Sequence, residues 1–365
     1  MSIVLRTVTC ERNRMKETFT TALLSWYDQN KRDLPWRDRD NAYYTWISEI
    51  MLQQTRVETV KPYFNRFITE LPDVDALASC PDEKLLKLWE GLGYYSRARN
   101  LKKAAGQIRE RYQSRLPEDY EELLTLSGIG DYTAGAIASI AYGKPFVAVD
   151  GNVLRVWSRI FAYQQNIASQ EAKNEARKAM QSLLPVDRPG DYNQALMELG
   201  ALVCLPKNQA RCETCPVQDC CEAFRNGLVE SLPVKQPPKE RKIEKRTVFV
   251  IRDGDRTAVR KRPDKGLLAG LYELPNEIGW YTKEQTEEYV KKTGLLPLQI
   301  SPLPEAEHIF SHIEWKMHGY LIRIAARENE EHETLQFIHR GQRKEGFAIP
   351  SAFQAYEKYI KEELT

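Results

Sequence analysis

Apolar residues recur every three to four positions through most of the first two-thirds of this chain. Phe19, Leu23, Leu24 and Tyr27 mark one stripe, and Leu85, Leu88, Trp89 and Leu92 mark another. That spacing puts side chains on one face of a helix. Strand-like alternation is scarce between residues 15 and 226, so an all-helical domain is expected there. Residues 227–246, GLVESLPVKQPPKERKIEKR, are rich in proline and lysine and read as a linker. After them, TVFVIRDGDRTAVRKR predicts two strands joined by an Asp-Gly turn. A smaller α+β domain is therefore expected over 247–365. Residues 1–14 take no assignment and read as a tail, with folded chain expected from Met15. There is no tandem repeat.

A length of 365 residues agrees with two domains, since one core rarely grows past roughly 250–300 residues. The net charge is only +2, so any argument for nucleic acid must rest on local basic clusters. No apolar stretch is long enough to span a membrane. The start, MSIVLRTVTCERNR, lacks the apolar core of a signal peptide, which makes a reducing cytoplasm the default.

The sharpest chemical signal is a run of cysteines, CLPKNQARCETCPVQDCCEAF. Cys204, Cys212, Cys215 and Cys221 are spaced C-x7-C-x2-C-x5-C. Structural zinc usually takes two close pairs separated by a longer loop. One compact run suits an iron–sulfur cube, which needs a thiolate on each of four irons. Zinc and plain thiols or disulfides remain the alternatives on spacing, and disulfides fit a short secreted chain better. Cys220 competes with Cys221 for the last place.

A second signal is LPEDYEELLTLSGIGDYTAGAIASIAYG. Leu123, Leu124 and Leu126 end one helix, Ser127 to Gly130 make a tight turn, and Asp131 is placed to cap the next helix. Gly128 and Gly130 would let the backbone approach a phosphate, and the outward amides would bind it, as in a helix-hairpin-helix DNA clamp. An ordinary interhelical turn is the bland reading. A helix precedes the turn, which excludes a dinucleotide-binding strand–turn–helix, and no Lys-Ser/Thr follows, which excludes a P-loop.

Two carboxylates complete the pattern. Glu49 in TWISEIMLQQTRVETV stands among Trp46, Ile47, Ile50, Met51 and Leu52, so burial should let it hold a proton near neutral pH. Asp150 in PFVAVDGNVLRVWSRI ends an apolar run before a helix. Taken singly, each has a structural reading, a core-edge glutamate and a helix cap. Together a protonated Glu and an ionised Asp are the pairing that cleaves glycosidic bonds through a sugar cation.

With LPWR at 34–37, SEIMLQQTRVETV at 48–60, WEGLGYYSRARNL at 89–101, the hairpin at 126–134, VDGNVLRV at 149–156 and the cysteine run, the chain resembles the MutY adenine DNA glycosylases of the endonuclease III superfamily. The resemblance covers residues 16 to 355. It implies an enzyme that flips adenine out of double-stranded DNA, opposite 8-oxoguanine or G, and hydrolyses its N-glycosidic bond. By that resemblance Glu49 protonates N7 of the flipped adenine. Asp150 stabilises or bonds the sugar cation, and Tyr132 and Asn152 support the site. Arg37 and Gln194 line the adenine pocket, and Leu34, Trp36, Thr55 and Arg56 belong to the same base- and DNA-binding motifs. Gln54 and Leu92 are wedges for the vacated stack, and Tyr94 stacks beside the lesion. Lys207 and Arg211 contact phosphate. One 4Fe-4S cluster is implied on Cys204, Cys212, Cys215 and Cys221, because the family's fourth cysteine follows the third by five residues. The family spaces the first two by six, and the extra residue here lies in LPKNQAR. A monovalent cation or calcium at the hairpin, a monomer and a cytoplasmic, nucleoid-associated location are also implied.

The resemblance gives the C-terminal domain a Nudix fold, with KGLLAGLYELP at 265–275. Its next segment, EEYVKKTGL, lacks the arginine and paired glutamates of a Nudix hydrolase, so no hydrolysis is expected there. Phe310, Ser311 and His312 match the loop that reads 8-oxoguanine. His308, His312 and His318 are expected on one strand face, with no carboxylate or cysteine to complete a metal site. A bifunctional endonuclease III-like lyase is the competing enzyme, but it needs a lysine where Tyr132 stands. A non-catalytic damage-binding module is the competing non-enzyme.

Overall fold

A computed structural model describes residues 2–37, 41–237, 240–326, 332, 334–339, 341–342 and 346–361, with side chains between residues 16 and 360. The chain divides into two compact units, Met1–Ser79 with Arg99–Pro237, and Cys80–Ala98 with Pro238–Thr365.

The described part of the first unit is helical. Its elements are α1 (Ser2–Asn30), α2 (Ala42–Leu52), α3 (Val57–Glu70), α4 (Val74–Ser79), most of α6 (Ser96–Tyr112), α7 (Tyr120–Leu124), α8 (Asp131–Ala136), α9 (Gly151–Ile160), α10 (Gln170–Leu183), α11 (Pro189–Leu202) and α12 (Glu222–Arg225). α1 runs unbroken from Ser2, upstream of Met15. No glycine or proline interrupts residues 2–14, so nothing local stops the helix. The stripe Phe19, Leu23, Tyr27 is fully buried, in one core with Trp157, Met180, Tyr192, Leu196 and Leu199. This core fixes α9 against α11. Gly200 permits the contact, because a Cβ there would come within 2.6 Å of the Asn152 Cβ.

The second unit contains α5 (Asp82–Leu88) and a sheet of β1 (Lys242–Asp253), β2 (Arg256–Lys261), β3 (Tyr272–Glu273), β4 (Asn276–Ile278), β5 (Pro297–Ile309), β6 (Ile313–Ile324) and β7 (Gln336–His339). The strand order is β3-β2-β1-β6-β5, with β4 on β1 and β7 on β2. β1 runs parallel to β6 from Lys242↔Ile313 to Arg252↔Arg323. Val248 and Val250 enter one core with Trp315, Met317 and Phe353. Phe249 and Ile251 enter the other, with Ile322 and Val290 of α13 (Lys283–Lys292). Both faces are covered, which is why the strand reads as a continuous apolar run.

Three sequence expectations shift. β1 begins at Lys242, inside the segment read as linker. The β1–β2 turn centres on Gly254–Asp255, with Gly254 at φ +58°. The apolar spacing through Leu92 overruns its helix: α5 stops at Leu88, and Gly91 (φ +102°) and Gly93 (φ +69°) carry the chain into a left-handed turn. Among the described residues no helix is long and apolar enough to cross a membrane.

Candidate active site

Glu49 sits on the buried face of α2 and is 5% exposed. The Tyr132 hydroxyl, brought in by α8, donates to Glu49 Oε2. Burial pushes the Glu49 carboxyl up to about 7, and nearby Asp150 adds to this, while the Tyr132 bond and Arg37 oppose it. The Tyr132 phenol is pushed well above its ordinary range by burial and by Glu49.

Asp150 is the N-cap of α9: Oδ1 accepts from Val153 N at 2.7 Å. Its other oxygen accepts from Asn152 Nδ2 at 2.8 Å. Burial raises its pKa against these two donors. Cap and site are therefore the same carboxylate. Asn152 Oδ1 accepts from Arg155 Nη2 at 3.0 Å, which also donates to Gly200 O, and Arg155 Nε donates to Cys204 O, both at 2.8 Å. A hydrogen-bonded path thus runs from the Asp150 carboxylate to the first cysteine of the run.

Glu49, Asp150, Tyr132 and Asn152 line one cavity of about 710 Å³, with Leu34, Trp36, Arg37, Gln54, Thr55, Gly128, Gly130 and Gln194. Leu34 and Trp36 are buried, and Trp36 meets Phe64 edge-on. Arg37 Nε donates to Gln194 Oε1 at 3.0 Å, Nη1 to Arg32 O, and Nη2 to Glu198 Oε1. Arg32 Nε reaches Glu198 Oε2 at 2.8 Å. Glu198 is 1% exposed and carries two guanidiniums. The sequence reading missed Arg32 and Glu198. The signal was there: Glu198 falls one turn after Gln194 on α11. Gln54 is exposed at φ +58°, and Arg56 is exposed at the start of α3, outside the cavity lining.

At the hairpin, Gly128 has φ +78°, and a Cβ there would come within 2.7 Å of the Asn100 Cβ, while at Gly130 it would meet open space. Asp131 is not the cap. Gly130 holds that position, and Asp131 instead pairs with Arg177 at 2.7 Å and accepts from the Tyr120 hydroxyl at 3.1 Å. Among the described residues no group of three or more acidic, histidine or cysteine side chains is placed to hold a metal ion.

Cys204, Cys212, Cys215 and Cys221 line a second cavity with Val203, Phe224 and Val229. Cys220 does not line it and packs on the helical core. Four thiols on one cavity are the donor set that an iron–sulfur cube takes, one for each iron. Arg159 Nη1 lies 3.2 Å from Cys204 Sγ. Lys207, at φ +57°, begins a short 3₁₀ turn to Gln209, and Lys207 and Arg211 are exposed.

In the second unit Tyr94 is 50% exposed and takes φ +46°. Its hydroxyl lies 3.2 Å from Ser311 Oγ. Ser311 and His312 are the exposed tip of the β5–β6 turn, closed by Phe310 N to Ile313 O at 2.8 Å. Phe310 packs edge-on against His308 and Trp315. Leu92 is only 6% exposed, tucked in its turn. The three histidines share no strand face. His308 lies on β5 opposite Trp315, His312 in the turn, and His318 on β6, stacked on Trp280 on the other side of the sheet.

Residues 47–183 match the model of the HhH-GPD superfamily base excision DNA repair proteins, and residues 247–358 match that of the NUDIX domain. The adenine DNA glycosylase of Mus musculus is 37% identical over 372 residues, spanning 84% of this chain and 70% of that protein. That of Rattus norvegicus is 36% identical over 371 residues, with the same coverage. A solved thermostable thymine-DNA glycosylase superposes with a TM-score of 0.53 at 28% identity, over 59% of this chain and 98% of its own.

Proposed function

The chain belongs to the adenine DNA glycosylases, base-excision repair enzymes with helix-hairpin-helix and Nudix-like domains, and on that premise we propose that it removes adenine paired with 8-oxoguanine or G, using Glu49 and Asp150. One observation carries the assignment of these two residues. Both carboxylates line one cavity and both are desolvated; Tyr132 holds Glu49, while Asn152 and Val153 hold Asp150. The adenine leaves the stack and enters that cavity. Glu49, holding a proton near neutral pH, delivers it to N7, so adenine departs as a neutral base and the C1′–N9 bond breaks. Asp150, kept an acceptor by Asn152 and Val153, meets the positive charge that develops on the sugar, and water completes hydrolysis. Arg37 and Gln194 orient the base edge, with Arg32 and Glu198 fixing Arg37. Gln54 fills the vacated stack.

The hairpin at Gly128–Gly130, with Lys207 and Arg211, grips the backbone phosphates. Cys204, Cys212, Cys215 and Cys221 would hold a 4Fe-4S cluster, which stiffens the loop carrying Lys207 and Arg211. Ser311 and His312, beside Tyr94, would read the C8 oxygen and N7 proton that distinguish 8-oxoguanine from guanine. Tyr132 has no amine, so no Schiff base forms and the strand is not nicked.

The test is a duplex with A opposite 8-oxoguanine. The expected result is free adenine and a strand break only after alkali. A spontaneous break would mean a lyase, and binding without base release would mean a damage-binding module.

A further inference from the structure

Residues 80–98 form one compact unit with 238–365, and Glu90 is one of the side chains that join them. Glu90 Oε1 accepts from the backbone amide of Ile349 at 2.9 Å, and Oε2 accepts from Lys87 Nζ at 2.7 Å. Lys87 Nζ also lies 3.4 Å from Phe347 O. Glu90 and Lys87 are partly buried. A second joint exists at Glu83, which accepts from Lys261 Nζ at 3.0 Å and the Tyr272 hydroxyl at 3.1 Å. The Glu83–Lys261 pair is about half exposed, where an ion pair contributes little. Glu90 is therefore the stronger joint: a charged acceptor on a fixed main-chain donor, less exposed than the Glu83–Lys261 pair.

The turn that follows Glu90 is rigid in itself. Trp89 Nε1 donates to Gly93 O at 3.1 Å, and Arg97 Nη2 donates to Leu92 O and Gly93 O at 3.0 Å each. Arg97 also lies over the rings of Trp89 and Tyr94. Tyr94 is held at φ +46°, a conformation that a tyrosine keeps only where its surroundings impose it. A rigid turn fastened at one end places its other end. We propose that Glu90 is a positioning residue for lesion specificity: by clasping the Trp89–Tyr95 turn to Ile349, it holds the Tyr94 phenol against Ser311. This rests on the reading above that Tyr94 and Ser311 face 8-oxoguanine. Glu90 touches neither DNA nor the catalytic carboxylates in this account, so its loss changes discrimination and not chemistry.

The experiment measures single-turnover excision of A opposite 8-oxoguanine and of A opposite G by the full chain. It compares wild type, Glu90→Ala, Glu90→Gln, Lys87→Met, Ser311→Ala and the Glu90→Ala/Ser311→Ala double variant, each with its melting temperature. Glu90→Ala should shrink the ratio of the two rates by about fivefold or more, the lower end of ordinary site-to-site couplings, with the rate opposite G unchanged. Glu90→Gln keeps an oxygen for the Ile349 amide and should restore the ratio. Lys87→Met should lower it more weakly. The double variant should be no worse than Ser311→Ala alone, because a residue acting through that contact has nothing left to act on. A merely structural Glu90 would give additive losses on both substrates, which overturns the inference. So does a wild-type ratio in Glu90→Ala alongside a reduced one in Ser311→Ala. A wild-type ratio in Ser311→Ala itself overturns the reading of the lesion face instead. If Glu90→Ala does not fold, Lys87→Met decides alone, and an unchanged ratio there counts against the clasp.

Discussion

Glu49 shows the conflict that burial imposes on a single group. The folded chain raises its carboxyl from 4.5 to about 7. Between those values the folded state holds a proton that the unfolded state releases, so stability falls as pH rises through this window. The full penalty, at most roughly 3 kcal/mol, is present above pH 7. Glu49→Gln removes it and still offers an oxygen to Tyr132. That variant should lose excision, yet gain melting temperature over wild type at pH 8 and much less at pH 5. The excision rate of the wild type should fall as pH rises past 7, because the acid form disappears. Tyr132→Phe deletes the hydrogen bond that opposes burial, so the Glu49 pKa climbs and the alkaline fall should move to higher pH. A pH–rate profile with no such displacement would separate Tyr132 from Glu49. Asp150→Asn keeps the cap for Val153 but not the charge, so it should bind the mismatch without cleaving.

Elements decide whether these residues meet. α9 begins with Asp150 and Asn152 and carries Arg155 one turn later, where its guanidinium spans Asn152, Gly200 and Cys204. Arg155→Met strands two main-chain carbonyls and the Asn152 amide oxygen, each at a cost of about 1–3 kcal/mol. Iron content and excision should fall together in that variant. Full iron with normal excision would show that the path from Cys204 to Asp150 is incidental. The hairpin offers a paired comparison. Gly128→Ala meets both a left-handed backbone and the Asn100 side chain, so DNA binding should weaken several-fold or more. Gly130→Ala meets open space at φ −108° and should bind near the wild-type level. Equal losses at both positions would mean that the backbone approaches phosphate equally at each.

At the scale of the whole molecule, the cysteine loop and the C-terminal sheet make separate claims. Anaerobically purified protein should be brown with about four irons per chain. Cys212→Ser should lose them, and Cys220→Ser and Cys80→Ser should not. Zinc in place of iron would sink the cluster assignment. The double variant Ser311→Ala/His312→Ala should still cleave, but with a smaller preference for A opposite 8-oxoguanine, by roughly 1–3 kcal/mol per lost contact. An unchanged preference would move recognition onto Tyr94.

The sequence alone determined much of this protein. Helical spacing around Phe19, Leu23 and Tyr27, the β-rich run from Thr247, the cysteine run, and the carboxylates Glu49 and Asp150 were all legible, because each is written in short-range spacing. Gly128 was legible as a turn residue for the same reason. What tertiary structure decided depends on residues far apart in the chain. Burial gave Glu49 its raised pKa, and only packing could bring Tyr132 to it. Cys221 lines the cysteine cavity and its neighbour Cys220 does not, a difference of one position that local pattern cannot weigh. Glu198 joined Arg32 and Arg37 across more than 150 residues, and Glu90 found Ile349 across 259. A hydrogen bond's partner is fixed by where the chain returns, and that return is set by the packed core, not by the order of residues along the strand or helix that carries it.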